Sequence, residues 1–301
     1  MNPRLMAPWG PFRHRVDIAP FTVAVAIAAV QLTLFFGTDS ALAKLAGIMV
    51  LWPVTTISIA IAHSHFHVRT FSARPLNLLF EFVLFYQSGM PSYGWQLNHN
   101  IGHHQHFIQQ RADAKFRDEY YWLEPDGTVT PRWRYLLRTV GLAYWYAIRN
   151  GRIRPDYVRK LGIVMAIHAL VLAALAAYDP LGTLICFVAV IVANMFVNTW
   201  FSYSHHAGLS LTDRYAASYS NLDRLVNLLT FNTGYHTAHH VKASVHWYEL
   251  PSFHASIAGR VPAHCYLSGE LTRDVAAAQL ARTRAMAAAP AEAVASKGAA
   301  A

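Results

Sequence analysis

The chain has 301 residues, 54% of them hydrophobic and only 14% charged, against roughly 25% charged in an ordinary soluble domain. Mean hydropathy is positive at +0.23, and the formal net charge is +9. Two cysteines, Cys186 and Cys265, exclude a disulfide framework, a cysteine-rich metal site and an internal iron–sulfur cluster, which needs about four thiolates.

This composition points to an integral membrane protein, and any electrons it uses must come from a partner. A basic excess in such a chain reflects cytoplasmic loops rather than nucleic-acid binding, and no nucleic-acid motif is present. The basic start MNPRLMAPWGPFRHR leads into an apolar run without a small-residue cleavage site, which reads as a retained first helix and not a cleaved signal peptide. Four apolar segments follow at roughly 19–37, 41–62, 161–178 and 181–203. Each is near the ~20 residues that cross the hydrocarbon core. Short linkers join the first two and the last two, so the expected fold is all-α, with four transmembrane helices in two hairpins. A fifth apolar stretch, 76–90, is shorter and carries Glu81, which suits a re-entrant or interfacial helix. An Ala-rich tail, 274–301, follows a single domain over 1–273 and is expected to be partly disordered at its end.

Lys and Arg set the orientation. Arg4, Arg13 and Arg15 precede the first span, and the segment between the hairpins holds Arg111, Lys115, Arg117, Arg132, Arg134 and Arg138 among others. The short linkers hold almost none apart from Lys44. The positive-inside rule places both termini and the central segment in the cytoplasm; the expected location is a bacterial inner membrane.

Histidines cluster at HSHFH (63–67), HNIGHHQH (99–106), SHH (204–206) and HTAHH (236–240), all on that same side. Hydropathy and charge fixed the topology without reference to histidine, so the agreement is informative. Residues i and i+4 share one face of an α-helix. His63 and His67 have that spacing, as do His99 and His103 with His104 adjacent, and His236 is followed by both His239 and His240. Each pair can grip one metal, and each adjacent histidine can reach a second. In SHH, the register Asn198, Ser202, His206 favours His206 over His205. The favoured nine suit two metals with open positions. Imidazole serves zinc, copper, iron and nickel alike, although a closed structural zinc site would need only four ligands.

HSHFH, HNIGHH and GYHTAHH resemble the three histidine boxes of the membrane fatty acid desaturase and hydroxylase superfamily, in order and spacing, over roughly residues 40 to 255. SYSHHAGL (202–209) is similar to the extra histidine motif of alkane hydroxylases, and HWYELPSFH (246–254) looks like the region after the third box in many bacterial members. The first box departs from the pattern by its internal histidine and the second by running on to His106. Ser202 stands where some acyl-CoA desaturases carry an Asn, one turn before the extra histidine.

The resemblance implies a cytoplasmic helical cap holding two Fe ions, a non-haem diiron centre that activates O2 and takes hydrogen from an unactivated C–H bond. The metal ligands would be His63, His67, His99, His103, His104, His206, His236, His239 and His240, with no catalytic residue beyond them. The substrate would be a lipid or fatty acyl chain, free, thioester or lipid-linked. The electron donor would be a ferredoxin, rubredoxin or cytochrome. Desaturation leads; hydroxylation of an alkyl chain or carotenoid, or alkene or alkyne formation, is the alternative within the same chemistry.

Bland readings compete for the remaining residues. His65, His106, His246, His254 and His264 are expected outside the metal sites, and His168 is expected to make an interhelical hydrogen bond. Glu81 either orients a ligand imidazole or is an interfacial charge, and Asp113 and Asp223 are weaker orienting candidates. Tyr93, Trp95, Trp200 and Tyr203 either line an acyl tunnel or anchor the interface. The basic central segment either docks an acidic donor or acyl carrier protein, or reflects topology alone. A metal transporter or sensor is the competitor of another class, but it would carry ligands mid-span, where only His168 and Asn198 stand.

Overall fold

Pro53 decides how the second apolar stretch folds. In the computed structural model, which describes residues 3–267, Ala41–Thr55 and Ile57–His67 are separate helices meeting at a bend of 44°. Proline lacks a backbone N–H and its ring crowds the carbonyl four residues earlier, which costs an unbroken helix about 3 kcal/mol. The span expected at 41–62 is therefore a bent pair. Its second piece runs on to His67 and carries the first histidine cluster at its end.

Among the described residues, Arg15–Phe36, Pro155–Tyr178 and Pro180–His206 are long and apolar enough to cross a membrane, and the bent pair is a fourth candidate. The third begins at Pro155, earlier than expected, because proline suits the first helical turn. The fourth passes through a π-helical turn at Leu184–Val188 and continues to His206, so SHH forms its last turn. The stretch at 76–90 is the 15-residue helix Arg74–Ser88, about 22 Å long at a rise of about 1.5 Å per residue and too short to span. It ends at Gly89, whose φ is +80° and where a Cβ would lie 2.6 Å from the Ile191 carbonyl oxygen, so a side chain is excluded twice over. The Ala-rich tail expected from 274 lies outside the described residues.

The chain forms two compact units, Met1–Leu97 with Tyr144–Asn198, and Asn98–Ala143 with Thr199–Ala301. In the first, Phe35, Ile48, Phe85, Tyr86, Cys186, Phe187 and Val190 pack together as the core. Polar side chains inside this unit are bonded to one another. The Trp52 indole N–H donates to Asn194 Oδ1 at 3.0 Å. Asn194 Nδ2 donates to Thr55 Oγ1 at 2.9 Å and also to the Gln87 carbonyl. Ser58 donates to Gln87 Oε1 at 2.6 Å, and Gln87 Nε2 to the Ala24 carbonyl at 2.9 Å. His168 Nδ1 lies 3.1 Å from the Tyr86 hydroxyl, the interhelical bond expected of it. Buried Lys44 pairs with Asp179 of the linker before Pro180. Where no water is available, such bonds must all be made internally.

Among the described residues, the second unit is built of short helices and loops around small cores that include Trp122, Val129, Tyr135 and Tyr203; Leu209, Ala216, Tyr219, Val261 and Cys265; and Ala238, Leu250 and Ile257. One departure from an all-α chain is a two-residue parallel strand pair, Ser220–Asn221 with Tyr266–Leu267. The helix His236–Val241 is buried on all sides and fixed by Thr237, whose hydroxyl donates to the Ser218 carbonyl at 3.0 Å and whose N–H donates to Ser220 Oγ at 3.2 Å. Just before it, Phe231 and Asn232 both adopt positive φ, 49° and 61°. For a residue as bulky as Phe this conformation is strained by about 1–3 kcal/mol. Trp247 holds it: its ring meets Phe231 edge-on at 5.2 Å, and its carbonyl accepts from Asn232 Nδ2 at 3.1 Å.

Asn194 serves three partners at once, so Asn194→Ala should destabilise the protein by about 1–3 kcal/mol through the unpaired groups it leaves. The measurement is the melting temperature in detergent; an unchanged value would remove Asn194 from any stabilising role.

Candidate metal centre

The second histidine cluster does not lie on an ordinary α-helix. Gln96–His103 is a π-helix, whose i→i+5 hydrogen bonds bring residues five apart onto one face. His99 Nε2 therefore meets His104 Nε2 at 3.0 Å, while His103, which α-helical spacing would pair with His99, turns toward His206. His239 Nε2 lies 2.9 Å from His104 Nε2. His99, His104 and His239 form one group whose candidate ligand atoms lie within 4.8 Å of one another.

The other group is His103, His206 and His240, all buried, within the same limit. His103 Nε2 is 3.2 Å from His206 Nε2. His236 joins them, its Nε2 lying 3.0 Å from His206 Nε2 and 3.1 Å from His240 Nε2. On the helix His236–Val241, the pair at i and i+4 thus faces one group and the adjacent His239 faces the other.

Hydrogen bonds behind the rings fix where the protons sit. His206 Nδ1 is 2.9 Å from the Ala217 carbonyl, which can only accept, so Nδ1 carries the hydrogen and Nε2 a bare lone pair. His103 Nδ1 is 2.9 Å from Asp118 Oδ2. Asp118 also accepts from Gln110 Nε2 at 2.9 Å and from the Tyr120 N–H at 3.0 Å, which fixes its orientation behind the ring. With its Nδ1 hydrogen held by Asp118, His103 can offer Nε2 as a ligand atom. Burial, with the surrounding imidazoles, holds His240 well below the ordinary histidine value and so in the neutral, ligating form.

Two ring nitrogens facing each other at 3.2 Å in a dry interior repel unless a proton or a metal cation lies between them. Nitrogens about 2.1 Å from one ion and at right angles around it are about 3.0 Å apart, and the observed separations run from 2.9 to 3.2 Å. The donors are all imidazole, which suits iron, zinc, copper and nickel. By this test the residues fit bound metal ions.

In the first unit, His63 and His67 close the helix Ile57–His67, with ring centroids 5.0 Å apart and His63 edge-on to Trp95 at 5.8 Å. His65 lies elsewhere: it is buried, with Nδ1 2.9 Å from Thr70 Oγ1 and Nε2 3.5 Å from Glu81 Oε1. Glu81 also pairs with Arg69, so the box histidine it meets is one outside the predicted ligand set. His205 stacks on His236 with centroids 4.0 Å apart. Ser202 bonds the Tyr135 hydroxyl at 3.1 Å. Asn198 is half-buried, one turn beyond the Asn194 hub. Asp223 caps the helix Arg224–Leu229 by accepting from the Val226 N–H at 2.9 Å. Asp113 pairs on the surface with Arg111. His106 stacks on Phe116, His246 accepts from the Tyr248 N–H at 3.2 Å, His254 faces the Tyr266 hydroxyl at 3.2 Å, and His264 is exposed.

Sequence reasoning missed Asp118 and chose Asp113 instead. The available signal was the setting of Asp118 and Glu119 in the aromatic run FRDEYYW (116–122), since acidic residues in such company are buried only when bonded. Nothing in the sequence marked the Ala217 carbonyl.

The profile of the fatty acid desaturase family matches residues 40–270 of the chain, a segment containing every histidine of both groups. No curated protein matches it.

Asp118→Asn should lower metal affinity by about 10–100-fold, because a neutral amide polarises the His103 ring less than a carboxylate does and can turn its NH2 toward Nδ1. Asp113→Asn should leave it unchanged. Metal titration of the two purified variants checks both; equal affinities would mean that Asp118 does not orient His103.

Proposed function

The chain belongs to the fatty acid desaturase family, and from that premise we propose that it is an O2-dependent membrane oxidoreductase that desaturates a fatty acyl or lipid hydrocarbon chain at a histidine-ligated diiron centre. The observation that carries this reading is the sorting of the box histidines. Neighbours His103 and His104, and His239 and His240, face different groups, which is what two adjacent metal ions require. His99, His104 and His239 would hold one ion, and His103, His206, His236 and His240 the other. His63 and His67 are assigned to the centre by the resemblance of their box.

Bound iron would supply oxygen activation and hydrogen abstraction from an unreactive C–H bond. The chain's own residues do the rest. Asp118 and the Ala217 carbonyl keep the Nδ1 protons of His103 and His206 in place, leaving each Nε2 free to ligate. His205, stacked on His236, holds that ring's plane and is not itself a ligand in this reading. Both cysteines are buried, and two thiols are too few to hold an iron–sulfur cluster, so electrons would come from an external ferredoxin, rubredoxin or cytochrome. Four spans in two hairpins would place the termini and the metal-binding cap in the cytoplasm.

Hydroxylation remains the second reading, favoured by SYSHHAGL at 202–209. A transporter is disfavoured because the polar side chains deep in the first unit bond one another: His168 meets Tyr86, and Asn194 meets Trp52, Thr55 and Gln87. Among the described residues, the clusters able to hold a metal consist of histidines of the four clusters.

Expression in a host of known lipid profile, with mass spectrometry of lipids and hydrocarbons, should give an O2-dependent new double bond, or a hydroxyl group under the second reading. Purified protein should hold about two irons per chain. His103→Ala and His206→Ala should abolish product and metal, whereas His205→Ala should retain most of the metal. Zinc without iron and no O2-dependent product would sink the proposal.

A further inference from the structure

A cavity of about 270 Å³ opens in the first unit beside the loop that follows the first histidine cluster. Its walls include Arg13, Arg69, Ser72, Arg74, Glu81 and Tyr93. None of these belongs to the candidate metal groups, and the proposed chemistry uses none of them.

The convergence of three arginines there is built. The Arg13 N–H donates to the Thr70 carbonyl at 2.9 Å, the Ser72 N–H to the Pro11 carbonyl at 3.0 Å, and Phe12 packs on Phe71 with ring centroids 4.9 Å apart. These contacts zip the N-terminal segment onto the loop and set Arg13 beside Arg69 and Arg74. Asn77 fixes the loop from the next helix: its Oδ1 accepts from the Phe71 N–H at 3.0 Å, and its Nδ2 donates to the Phe71 carbonyl at 2.9 Å. Arg13 Nε is spent on the Phe71 carbonyl at 3.0 Å.

The charges do not balance. Arg69 pairs with Glu81. Burial pushes the Glu81 carboxyl up, but its bond with His65 and the Arg69 guanidinium outweigh this and hold it below the ordinary range. Among the described residues, neither Arg13 nor Arg74 pairs with a carboxylate. Gathering three guanidinium groups around one carboxylate is unfavourable unless an anion joins them, and guanidinium matches phosphate geometry in particular.

The apolar surroundings narrow the anion further. Immediately after Arg74 on the same helix, Leu76, Leu78 and Leu79 are 37%, 40% and 63% exposed, and Trp9 on the N-terminal segment is 52% exposed. Tryptophan at that level is typical of a membrane–water interface. A ligand filling this site has a charged head at the arginines and apolar tails along the leucines. The cavity volume suits a headgroup rather than a whole drug-sized ligand.

We propose that this cavity binds the phosphate headgroup of an anionic membrane phospholipid, with its acyl chains lying along Leu76 and Leu79. Basic pockets beside membrane helices take anionic headgroups by the same physics. The site is separate from the histidine groups, and its test does not depend on oxidation chemistry.

The test is native mass spectrometry of the purified full-length protein titrated with phosphatidylglycerol, phosphatidylcholine or soluble glycerol 3-phosphate. Wild type should bind phosphatidylglycerol at least about tenfold more tightly than either of the others. The double variant Arg13→Gln/Arg74→Gln should lose roughly tenfold or more in that affinity, the loss of one charge-assisted hydrogen bond or more. Arg74→Gln alone removes an exposed side chain, so it keeps the fold and should show part of the loss. Unchanged phosphatidylglycerol affinity in both variants would overturn the proposal. So would glycerol 3-phosphate binding as tightly as the lipid, which would assign the cavity to a soluble phosphate.

Discussion

Imidazole lone pairs that face each other in a dry interior are the constraint on which the second unit depends. His103 and His206 each direct Nδ1 to a fixed acceptor, Asp118 or the Ala217 carbonyl, and each turns Nε2 toward the other. The local structure follows from holding those rings still. Gln110 anchors Asp118 and is itself fixed by the Trp122 N–H at 2.8 Å. The Tyr219 N–H donates to the His205 carbonyl at 2.8 Å and ties the segment carrying Ala217 to the end of the long helix. Thr237 pins the third box against Ser218 and Ser220. Without a cation this arrangement would be one of unrelieved repulsion and lost hydration, which is why metal affinity and local order should rise and fall together.

The first unit answers a different constraint, that of backbone and side-chain polarity where water is absent. Its polar residues solve it jointly. Gln87 bonds Ser58 and the Ala24 carbonyl through its side chain while its own carbonyl serves Asn194. The break after Pro53 fits the same scheme, since Thr55, at the end of the first piece, accepts from Asn194 Nδ2 at 2.9 Å. The bend therefore needs no loop. Ile57–His67 resumes as a helix and delivers His63 and His67 at its last turns.

Composition and hydropathy made the membrane class and the long apolar segments legible, because each needs only a run of residues and no partner. The boxes were legible because their spacing is local. Three things were not. The bend at Pro53 was visible as a residue but not as an angle. Asp118 lies fifteen positions beyond His103 in an irregular loop, where no period links a residue to its target, so the nearer Asp113 looked as good. The strained pair Phe231 and Asn232 depends on Trp247, and no local preference would place a Phe at positive φ.

The second box shows how a correct motif can carry an incorrect register. Counting in fours assumes an α-helix and puts His99 with His103. The segment is a π-helix, and with its wider turn His99 meets His104 at 3.0 Å while His103 goes to the other group. The sequence H-x-x-x-H-H is compatible with both registers, because it offers a histidine at i+4 and another at i+5. That redundancy is informative in itself. With a single histidine after the gap, the backbone form would decide whether a pair existed at all. With two, either form yields a pair, and the backbone decides only which histidine remains for the neighbouring group. In the third box His236–Val241 is an α-helix, and there the i+4 partner His240 stays with His236 at 3.1 Å while His239 crosses over. Both boxes therefore divide their adjacent histidines between two groups by opposite helical registers, and the division rather than the register is what they share.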